Sequence, residues 1–328
     1  MNHPLLRSCD LIIGIDGGGT KSVAWLASTS DSWQEAPPIV LGRGAAGPAN
    51  QRAVGPAVAR SNLDAAIKAA FLDAGLPRMT VAAACLGLAG ADRASDRRMV
   101  EVWADAVRVA DSVEIVNDAV PLLHVAPATG IGIALIAGTG SLAWGRNSNG
   151  QTARCGGWGY LFSDEGSAFG IGRDVLQAVT AAVDGRGERT RLVTDVIHFL
   201  NIKSPEEIIT AVYSHEVPRA VVASVACLAF PAAGKHDLVA EKILQKAAKE
   251  LAEMAAVSAR RLALQSDLSL SMTGAVLLQN PDFCEQVIAE IETMGIRLAR
   301  KIKIEHPVSG AVNMAASQAR RQAQRPEN

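Results

Sequence analysis

The hydrophobic pattern of the first part of the chain alternates between short apolar runs and longer segments with apolar residues every three or four positions. The short runs predict buried strands at Val81–Leu88 and Val113–Val116. The periodic segments predict helices at Val54–Ala74 and Ser95–Val109. Gly75-Leu76-Pro77 follows the first of these helices, and glycine then proline is a common helix stop signal. This alternation predicts an α/β fold.

Two apolar strands run into glycine-rich turns that are followed by a second β-branched or aromatic segment. The first is Ile12–Ser22, IIGIDGGGTKS, which continues into Val-Ala-Trp-Leu-Ala. The second is Ile131–Arg146, which contains Ala137-Gly-Thr-Gly-Ser141. Because strand-forming residues follow the glycines, both segments predict β-hairpins. We expect the glycines to adopt positive φ and to let backbone N–H groups approach a bulky anion.

The first glycine turn does not match two common nucleotide-binding patterns. In a P-loop, lysine follows the second glycine directly, but here Thr20 follows Gly19 and Lys21 comes one residue late. The Gly-x-Gly-x-x-Gly pattern opens a helix, whereas the segment after Gly19 is typical of a strand.

The two hairpins form an internal repeat. A shift of 121 positions places Gly140 on Gly19 and Ser141 on Thr20, while Asp16 falls on Ala137. A repeated hairpin indicates a duplicated domain, and two facing glycine tips would clamp a polyphosphate from both sides. The single carboxylate, Asp16, suits one hydrated Mg²⁺, which commonly takes one or two carboxylates plus phosphate oxygens. The alternative is two tight hairpins without a ligand.

The chain becomes strongly helical after Ser167 and returns to a strand near its end. Predicted helices are Ala168–Val183, Pro205–Tyr213, Ala220–Ala229, Asp237–Leu264 and Gly310–Arg320. A strand from Leu268 to Thr273 precedes Gly274, and a helix with proline in its first turn follows Asn280. We expect the tail, Arg321–Asn328, to be disordered.

Composition restricts the classes of partner. The 328 residues favour two domains, and the near balance of 32 basic and 33 acidic residues predicts no nucleic-acid partner. The apolar runs are too short for a membrane-spanning helix despite a mean hydropathy of +0.16, and the first ten residues do not resemble a secretory signal. The five cysteines are scattered without a close pair, which predicts a reducing cytoplasm.

Five motifs resemble those of the N-acetylglucosamine kinases, in the BadF-type (BadF/BadG/BcrA/BcrD ATPase) branch of the superfamily of acetate and sugar kinases, heat-shock chaperones and actin. They run in the family's order and rough spacing from about Leu11 to about Ala316. The most specific is the block Gly156-Gly-Trp-Gly159 with Ser163-Asp-Glu-Gly-Ser167. The others are Asp16-Gly-Gly-Gly-Thr20, Asn117-Asp118-Ala119, Ala137-Gly-Thr-Gly-Ser141 and Met272-Thr-Gly-Ala275.

The resemblance implies two ribonuclease-H-like, actin-like ATPase domains around a nucleotide cleft, the second enlarged by helices. The first would comprise residues 1–121 and 308–328, with the final helix returning to it, and the second residues 122–307. The implied reaction is ATP- and Mg²⁺-dependent phosphorylation of an amino sugar, with N-acetylglucosamine and its 6-phosphate favoured. The family also suggests a homodimer.

The resemblance also assigns roles to individual residues. The phosphate loops would be Gly17, Gly18, Gly19, Thr20 and Lys21, together with Gly138, Thr139, Gly140 and Ser141. Gly274 would lie behind the adenosine, and Asp118 would be the catalytic base. Sugar contacts would come from Asn50, Gly90, Asp118, Gly157, Trp158, Gly159 and Asp164.

The residues themselves leave alternatives for several of these roles. Asp118 follows a predicted strand, where a carboxylate can accept a hydroxyl proton, but Asn117-Asp118 could instead cap a helix starting near Pro121. Asp164 and Glu165 precede a helix, and we expect one of them to cap it. Trp158 offers an apolar face to a pyranose ring, or is a core tryptophan.

Four other protein classes compete with this interpretation. Glucosamine kinases share the phosphate loops but lack the tryptophan of the Gly-Gly-Trp-Gly block, while Ala89 and Asn50 lie in loops that leave substrate preference open. A reductase-activating ATPase would need paired cysteines for an iron-sulfur cluster, and no cysteine here has a partner at short spacing. A related kinase class uses a zinc site of clustered Cys and His, and the sequence contains no such cluster. No structural metal is therefore expected. A non-catalytic sugar sensor would lack the base, and the presence of Asp118 favours an enzyme.

Overall fold

The computed structural model describes residues 10–29, 37–127, 129–214 and 218–324. The strands are β1 (Leu11–Gly17), β2 (Ser22–Ser28), β3 (Ile39–Ala46), β4 (Val81–Leu88), β5 (Ala110–Asn117), β6 (Gly132–Ala137), β7 (Ser141–Arg146), β8 (Thr152–Gly156), β9 (Leu268–Thr273) and β10 (Leu298–Lys303). The helices are α1 (Gln51–Val54), α2 (Pro56–Asp73), α3 (Ala94–Ala106), α4 (Ala168–Val183), α5 (Leu192–Phe199), α6 (Ile208–Tyr213), α7 (Pro218–Val225), α8 (Ala229–Ala233), α9 (Leu238–Arg261), α10 (Ala275–Leu278), α11 (Pro281–Thr293) and α12 (Val308–Ala323).

One compact unit consists of Met1–Gly130 together with His306–Asn328. Its sheet has the order β3-β2-β1-β4-β5. The first three strands are antiparallel, whereas β4 and β5 run parallel to β1. Parallel strands need a crossover connection, which α2 supplies before β4 and α3 supplies before β5. The carboxyl ends of β1, β4 and β5 therefore lie at one edge of the sheet.

The returning helix α12 packs directly on the centre of this sheet. A Cβ atom on Gly14 would lie 2.7 Å from Val312 Cγ2, so glycine allows the backbones of β1 and α12 to approach closely. On β1, Ile12, Ile13 and Ile15 are all at most 1% exposed. Such continuous burial is typical of a central strand covered on both faces.

The second compact unit consists of Ile131–Glu305 and repeats the same topology. Its sheet has the order β10-β9-β6-β7-β8, with β6–β8 antiparallel and β9 and β10 parallel to β6. Helix α9 supplies a long apolar face to the core, including Leu251, Ala252 and Ala255, which are fully buried. The two sheets and their helices confirm the predicted α/β class. The change between units falls at Gly130–Ile131 and at Glu305–His306, whereas the resemblance implied changes after residues 121 and 307.

Most of the predicted elements are found, including both glycine hairpins. The helix predicted near Pro121 is wrong, because Pro121–His124 forms only a short 3-10 turn. The predicted disorder is wrong for its first residues, since α12 continues to Ala323; residues 325–328 lie outside the described residues. The elements that were not predicted are the strands β3, β8 and β10 and the short helices α1, α5, α8 and α10.

The two hairpins differ in the length of their turns. Gly17 pairs with Ser22 across the first turn, whereas Ala137 pairs with Ser141 across the second. The second turn is one residue shorter, so the shift of 121 positions does not hold along the whole hairpin. In either alignment Asp16 has an apolar counterpart, which leaves the carboxylate specific to the first hairpin.

No described helix is long and apolar enough to cross a membrane.

Candidate active site

The first hairpin turn, Gly17–Lys21, which we call the first tip, is held by the two loops beside it. Ala49 donates its N–H to the Gly18 carbonyl at 3.1 Å, and Ala89 donates to the Gly17 carbonyl at 2.9 Å. The residues from Gly19 to Lys21 are exposed. The base of the tip is therefore fixed while its end is accessible to a ligand.

The predicted backbone conformation of the glycines is wrong at both turns. Positive φ among the described glycines does not occur at Gly17, Gly18, Gly19, Gly138 or Gly140. A Cβ atom on Gly19 would meet nothing within 4 Å, whereas one on Gly17 would lie 3.1 Å from the Ala49 side chain. Close packing explains Gly17, and open space beside Gly19 leaves the backbone accessible.

Three carboxylates of the first unit, Asp16, Asp92 and Asp118, lie at this edge of the sheet, and the charges of the first two act on Asp118. Asp16 lies near the end of β1, Asp92 follows β4, and Asp118 directly follows β5. Burial and the negative charges of Asp16 and Asp92 raise the pKa of Asp118 to about 7, and hydrogen bonds from the N–H groups of Asp118 and Ala119 oppose the rise. Burial raises the pKa of Asp16 to about 6, against the opposing charge of Lys21.

A hydrogen-bond network that was not predicted fixes the turn that carries Asp118. Asn117 Oδ1 accepts the Ala119 N–H at 2.9 Å, and Asn117 Nδ2 donates to Asp92 Oδ1 at 3.0 Å. Arg97 Nη1 donates to the carbonyl of Asp92 at 2.9 Å. The side chain of Asn117 therefore closes its own turn rather than capping a regular α-helix. Asp92 links the ends of β4 and β5.

Two predicted sugar-contacting residues of the first unit lie together. Asn50 caps α1, and its Oδ1 accepts the Arg52 N–H at 3.1 Å. Gly90 has a φ of +82°, and a Cβ atom there would lie 3.1 Å from Asn50 Oδ1. Glycine is needed at this position both for its left-handed backbone and for its approach to Asn50.

The second hairpin turn, Gly138–Ser141, which we call the second tip, is attached to the start of α4. The carbonyl of Gly138 accepts the Ala168 N–H at 2.9 Å. Both donors of Ser141 act inside this unit, because its N–H reaches Asp164 Oδ1 at 3.2 Å and its hydroxyl reaches the Glu165 carbonyl at 2.6 Å. Gly274 lies against this tip, since a Cβ atom there would be 2.7 Å from the Gly138 nitrogen.

The segment Gly156–Ser167, which we call the Gly-Trp segment, has an exposed part and a buried part. Trp158 is 71% exposed, and the Arg154 guanidinium lies 5.4 Å from its ring centroid, so the alternative of a core tryptophan is wrong. Gly157 and Gly159 on either side have positive φ. These three predicted sugar contacts therefore form an accessible aromatic turn.

The buried part of the Gly-Trp segment ends at the start of α4. The helix cap is Ser167, whose Oγ accepts the Gly170 N–H at 3.1 Å, so the prediction that Asp164 or Glu165 would cap the helix is wrong. Asp164 is 3% exposed and its Oδ2 accepts a hydrogen bond from Arg219 Nη2 at 2.9 Å. The sequence carried the signal for the cap, a serine before a helical pattern, but no local signal for Arg219.

Comparison with known proteins places the chain in one family. The model of the BadF/BadG/BcrA/BcrD ATPase family matches residues 13–315. The chain is 31% identical to an N-acetylmuramic acid/N-acetylglucosamine kinase of Clostridium acetobutylicum, over 94% of this chain and 98% of that protein. It is 30% identical to an N-acetyl-D-glucosamine kinase of Dictyostelium discoideum, over 79% of this chain and 82% of that protein.

Solved structures show the same fold. A candidate N-acetylglucosamine kinase from Chromobacterium violaceum superimposes with a TM-score of 0.74 at 24% identity, covering 94% of this chain and all of the other. The family match spans nearly the whole chain and both curated relatives align over most of their length. The resemblance inferred from the motifs is thereby confirmed, and the chain belongs to the BadF/BadG/BcrA/BcrD ATPase family.

Proposed function

We propose that the protein transfers the γ-phosphoryl group of ATP to the 6-hydroxyl of N-acetylglucosamine. The family is one of ATPases, and the two curated relatives are named as kinases of this sugar. The observation that carries the proposal is Asp118, held in the turn after β5 with a pKa raised to about 7. A base with a pKa near the working pH combines an adequate ionised fraction with useful basicity.

The proposed step is an in-line displacement that uses Asp118 as general base. Its carboxylate accepts the proton of the sugar hydroxyl, the hydroxyl oxygen forms a bond to the γ-phosphorus, and the bond to the β–γ bridging oxygen breaks to release ADP. Phosphoryl transfer demands mainly positioning and charge stabilisation from the protein. The network of Asn117, Asp92 and Ala119 supplies the positioning of the base.

The phosphate-binding residues are proposed from the two tips. In the first tip, Gly19, Thr20 and Lys21 offer backbone N–H groups, a hydroxyl and an ammonium at an accessible turn, while the Gly18 N–H closes the turn by donating to the Lys21 carbonyl at 2.9 Å. In the second tip, Thr139 and Gly140 would contribute backbone groups, whereas the N–H of Gly138 and both donors of Ser141 already form hydrogen bonds within the unit. Gly274, beside Gly138, leaves room for the adenosine because it has no side chain.

Asp16 fits the requirement for a Mg²⁺ ligand. Burial raises the pKa of its carboxyl to about 6, so a nearby cation would favour the ionised form. No group of three His, Cys, Asp or Glu side chains in the described parts of the chain is placed to hold a metal ion. Mg²⁺ commonly completes its shell with water and phosphate oxygens, and it would neutralise charge that develops on the transferred group.

We propose sugar contacts within each unit by itself: Asn50 and Gly90 in the first, and Gly157, Trp158 and Gly159 in the second. The predicted contact at Asp164 would involve a buried carboxylate whose two oxygens already accept hydrogen bonds within its unit. Asn50 and Gly90 lie together, which supports a shared role. The exposed face of Trp158 suits the apolar side of a pyranose ring. We retain a cytoplasmic location, where ATP is abundant, and a homodimer as parts of the proposal.

The test measures ADP release by the full-length protein with one sugar at a time, with and without Mg²⁺. The sugars are N-acetylglucosamine, N-acetylmuramic acid, glucosamine, N-acetylmannosamine and glucose, and mass spectrometry identifies the product. N-acetylmuramic acid is included because one relative is named for both sugars. We expect Mg²⁺-dependent formation of N-acetylglucosamine 6-phosphate. Exclusive turnover of glucosamine would favour that alternative, and ATP hydrolysis independent of any sugar would favour the ATPase activator.

A further inference from the structure

We infer that Arg219 is a positioning residue that fixes Asp164 and, through it, the second tip for phosphoryl transfer. This inference rests on the proposed function and deepens it. Arg219 lies at the start of α7, 55 residues after Asp164, outside every motif of the family resemblance. The role follows from three contacts that meet at its guanidinium and at the carboxylate of Asp164.

Both oxygens of the Asp164 carboxylate are engaged within the second unit. Oδ1 accepts the Ser141 N–H at 3.2 Å, and Oδ2 accepts Arg219 Nη2 at 2.9 Å. The Asp164 side chain is 4% exposed and that of Arg219 is 25% exposed. Burial raises the pKa of Asp164, while the charge of Arg219 and the Ser141 N–H oppose the rise. A buried carboxylate that lost this arginine would be left without its compensating charge.

The backbone at Asp164 is also tightly constrained. Its φ is +67°, a left-handed conformation that is uncommon for residues other than glycine. Its carbonyl accepts a hydrogen bond from the Ser167 hydroxyl and lies where a Cβ atom on Gly170 would be only 2.7 Å away. On the other side, a Cβ atom on Gly140 would lie 2.7 Å from Asp164 Oδ1. Asp164 therefore has little freedom to move without shifting the second tip.

Arg219 connects this carboxylate to the exposed part of the Gly-Trp segment. Its guanidinium lies 5.2 Å from the ring centroid of Tyr160, and Tyr160 packs edge-on against Phe169 at 5.2 Å. Arg219 Nε is buried and has no hydrogen-bond partner among the described residues. The orientation of the guanidinium is thus set by Asp164 and Tyr160, even though one donor is left unpaired. One side chain ties the second tip to the turn that carries Trp158.

The experiment compares Arg219→Met, Arg219→Lys and Asp164→Asn in the full-length protein. Hydrogen–deuterium exchange is followed at the Ser141 amide, together with kcat and KM for ATP and sugar. Arg219→Met should speed exchange at Ser141 about tenfold and lower kcat/KM roughly tenfold to a hundredfold, the range expected for loss of a charge-assisted hydrogen bond. Arg219→Lys should recover part of both effects because it restores the charge but not the planar donor geometry.

The matched control is Arg186→Met, which removes an arginine from a pair with Asp184 in which both side chains are more than half exposed. It should leave the exchange at Ser141 and the kinetics unchanged. Unchanged exchange at Ser141 in folded Arg219→Met would overturn the inference. If that variant does not fold, the test is Arg219→Lys against Asp164→Asn and their double variant. Fully additive effects would overturn the inference, because residues that act as one unit are non-additive.

Exchange at Ser141 does not depend on turnover, so the two proposals fail separately. A wild-type protein without sugar-dependent turnover, but with the expected exchange response to Arg219→Met, would reject the proposed kinase function and keep the positioning role. Sugar phosphorylation by the wild type, with amide exchange at Ser141 unchanged in Arg219→Met, would keep the kinase function and reject the positioning role.

Discussion

Replacing Asp118 by Asn should abolish most of the activity and at the same time make the protein more stable. Burial and the negative charges of Asp16 and Asp92 disfavour the ionised form of Asp118 and raise its pKa. An asparagine has nearly the same shape, and the turn stays closed by the hydrogen bond from the Ala119 N–H to Asn117 Oδ1. The substitution removes the negative charge that the folded state disfavours, so we expect the free energy of unfolding to rise. The same substitution removes the general base, so we expect activity to fall.

The magnitude follows from the rise of the Asp118 pKa from 3.8 to about 7. Each pKa unit corresponds to about 1.4 kcal/mol, so the ionised carboxylate lowers the free energy of unfolding by up to about 4 kcal/mol. Because the folded-state pKa lies above the unfolded value, this penalty is absent below pH 3.8, grows through the window up to about 7 and is complete above it. Coupling to Asp16 reduces the measurable gain to about 1–4 kcal/mol.

The assay is thermal unfolding of wild type and Asp118→Asn at about pH 8 and about pH 5.5, alongside initial rates. At pH 8 the variant should melt several degrees higher, and at pH 5.5 its advantage should fall by about half, because wild-type Asp118 is then largely protonated. Its kcat should drop roughly 10²- to 10⁴-fold with little change in nucleotide affinity. The control is Asp111→Asn, on the same strand but exposed. A variant no more stable than wild type at pH 8 would refute the reasoning, and full activity would show that another group is the base.

Three further substitutions test separate parts of the site, and a fourth, Gly295→Ala, is the control for Gly274→Ala. Asp16→Asn should raise the Mg²⁺ concentration for half-maximal activity about tenfold while leaving the KM for sugar within about twofold, and equal Mg²⁺ dependence would exclude Asp16 as the ligand. Gly274→Ala should destabilise the protein by about 1–3 kcal/mol in thermal unfolding, because its φ is +101° and the added methyl would meet Gly138. Gly295→Ala, with φ of +81° but open space around it, should cost only about 1 kcal/mol. Trp158→Ala should raise the KM for sugar severalfold with almost no change in melting temperature, since the ring is 71% exposed; an unchanged KM would remove Trp158 from the sugar site.

The elements that sequence patterns predicted are those whose burial is uniform. β4 is buried along nearly its whole length and α9 buries a long regular stripe, so an apolar run and a helical period identify them. The strands that were missed lie at sheet edges. β10 reads Leu-Ala-Arg-Lys-Ile-Lys and has no fully buried position, and β3 is interrupted by two glycines that admit α2 close to its backbone. An edge strand is stabilised by pairing with the neighbouring strand, and the hydrophobic pattern of its own residues does not predict that pairing.

Site residues could be predicted from the sequence when they directly follow a predicted strand or belong to a specific motif. The family resemblance predicted Asp118 as the base and its position after an apolar strand agrees with that role, and the Gly-Trp segment was identified because its motif is specific. Asp92 and Arg219 were missed because their importance lies in partners 25 and 55 residues away, Asn117 and Asp164. A charged residue in a loop or at a helix start gives no sign of which distant carboxylate or amide it will meet. Contacts of this kind depend on the tertiary fold.

The two units share a topology but differ in how they treat negative charge, and this difference explains why one of them carries the proposed chemistry. In the second unit, burial raises the pKa of Asp164 as well, but Arg219 and the Ser141 N–H oppose that rise and engage both of its carboxylate oxygens. In the first unit, burial raises the pKa of Asp16 to about 6, and burial together with the negative charges of Asp16 and Asp92 raises the pKa of Asp118 to about 7. A compensated carboxylate is a poor base and a good structural anchor, whereas an uncompensated one binds a proton or a cation near pH 7. The duplicated fold thus separates the two tasks: the second unit holds its tip rigid with paired charge, and the first keeps carboxylates that can accept a proton and favour a divalent cation.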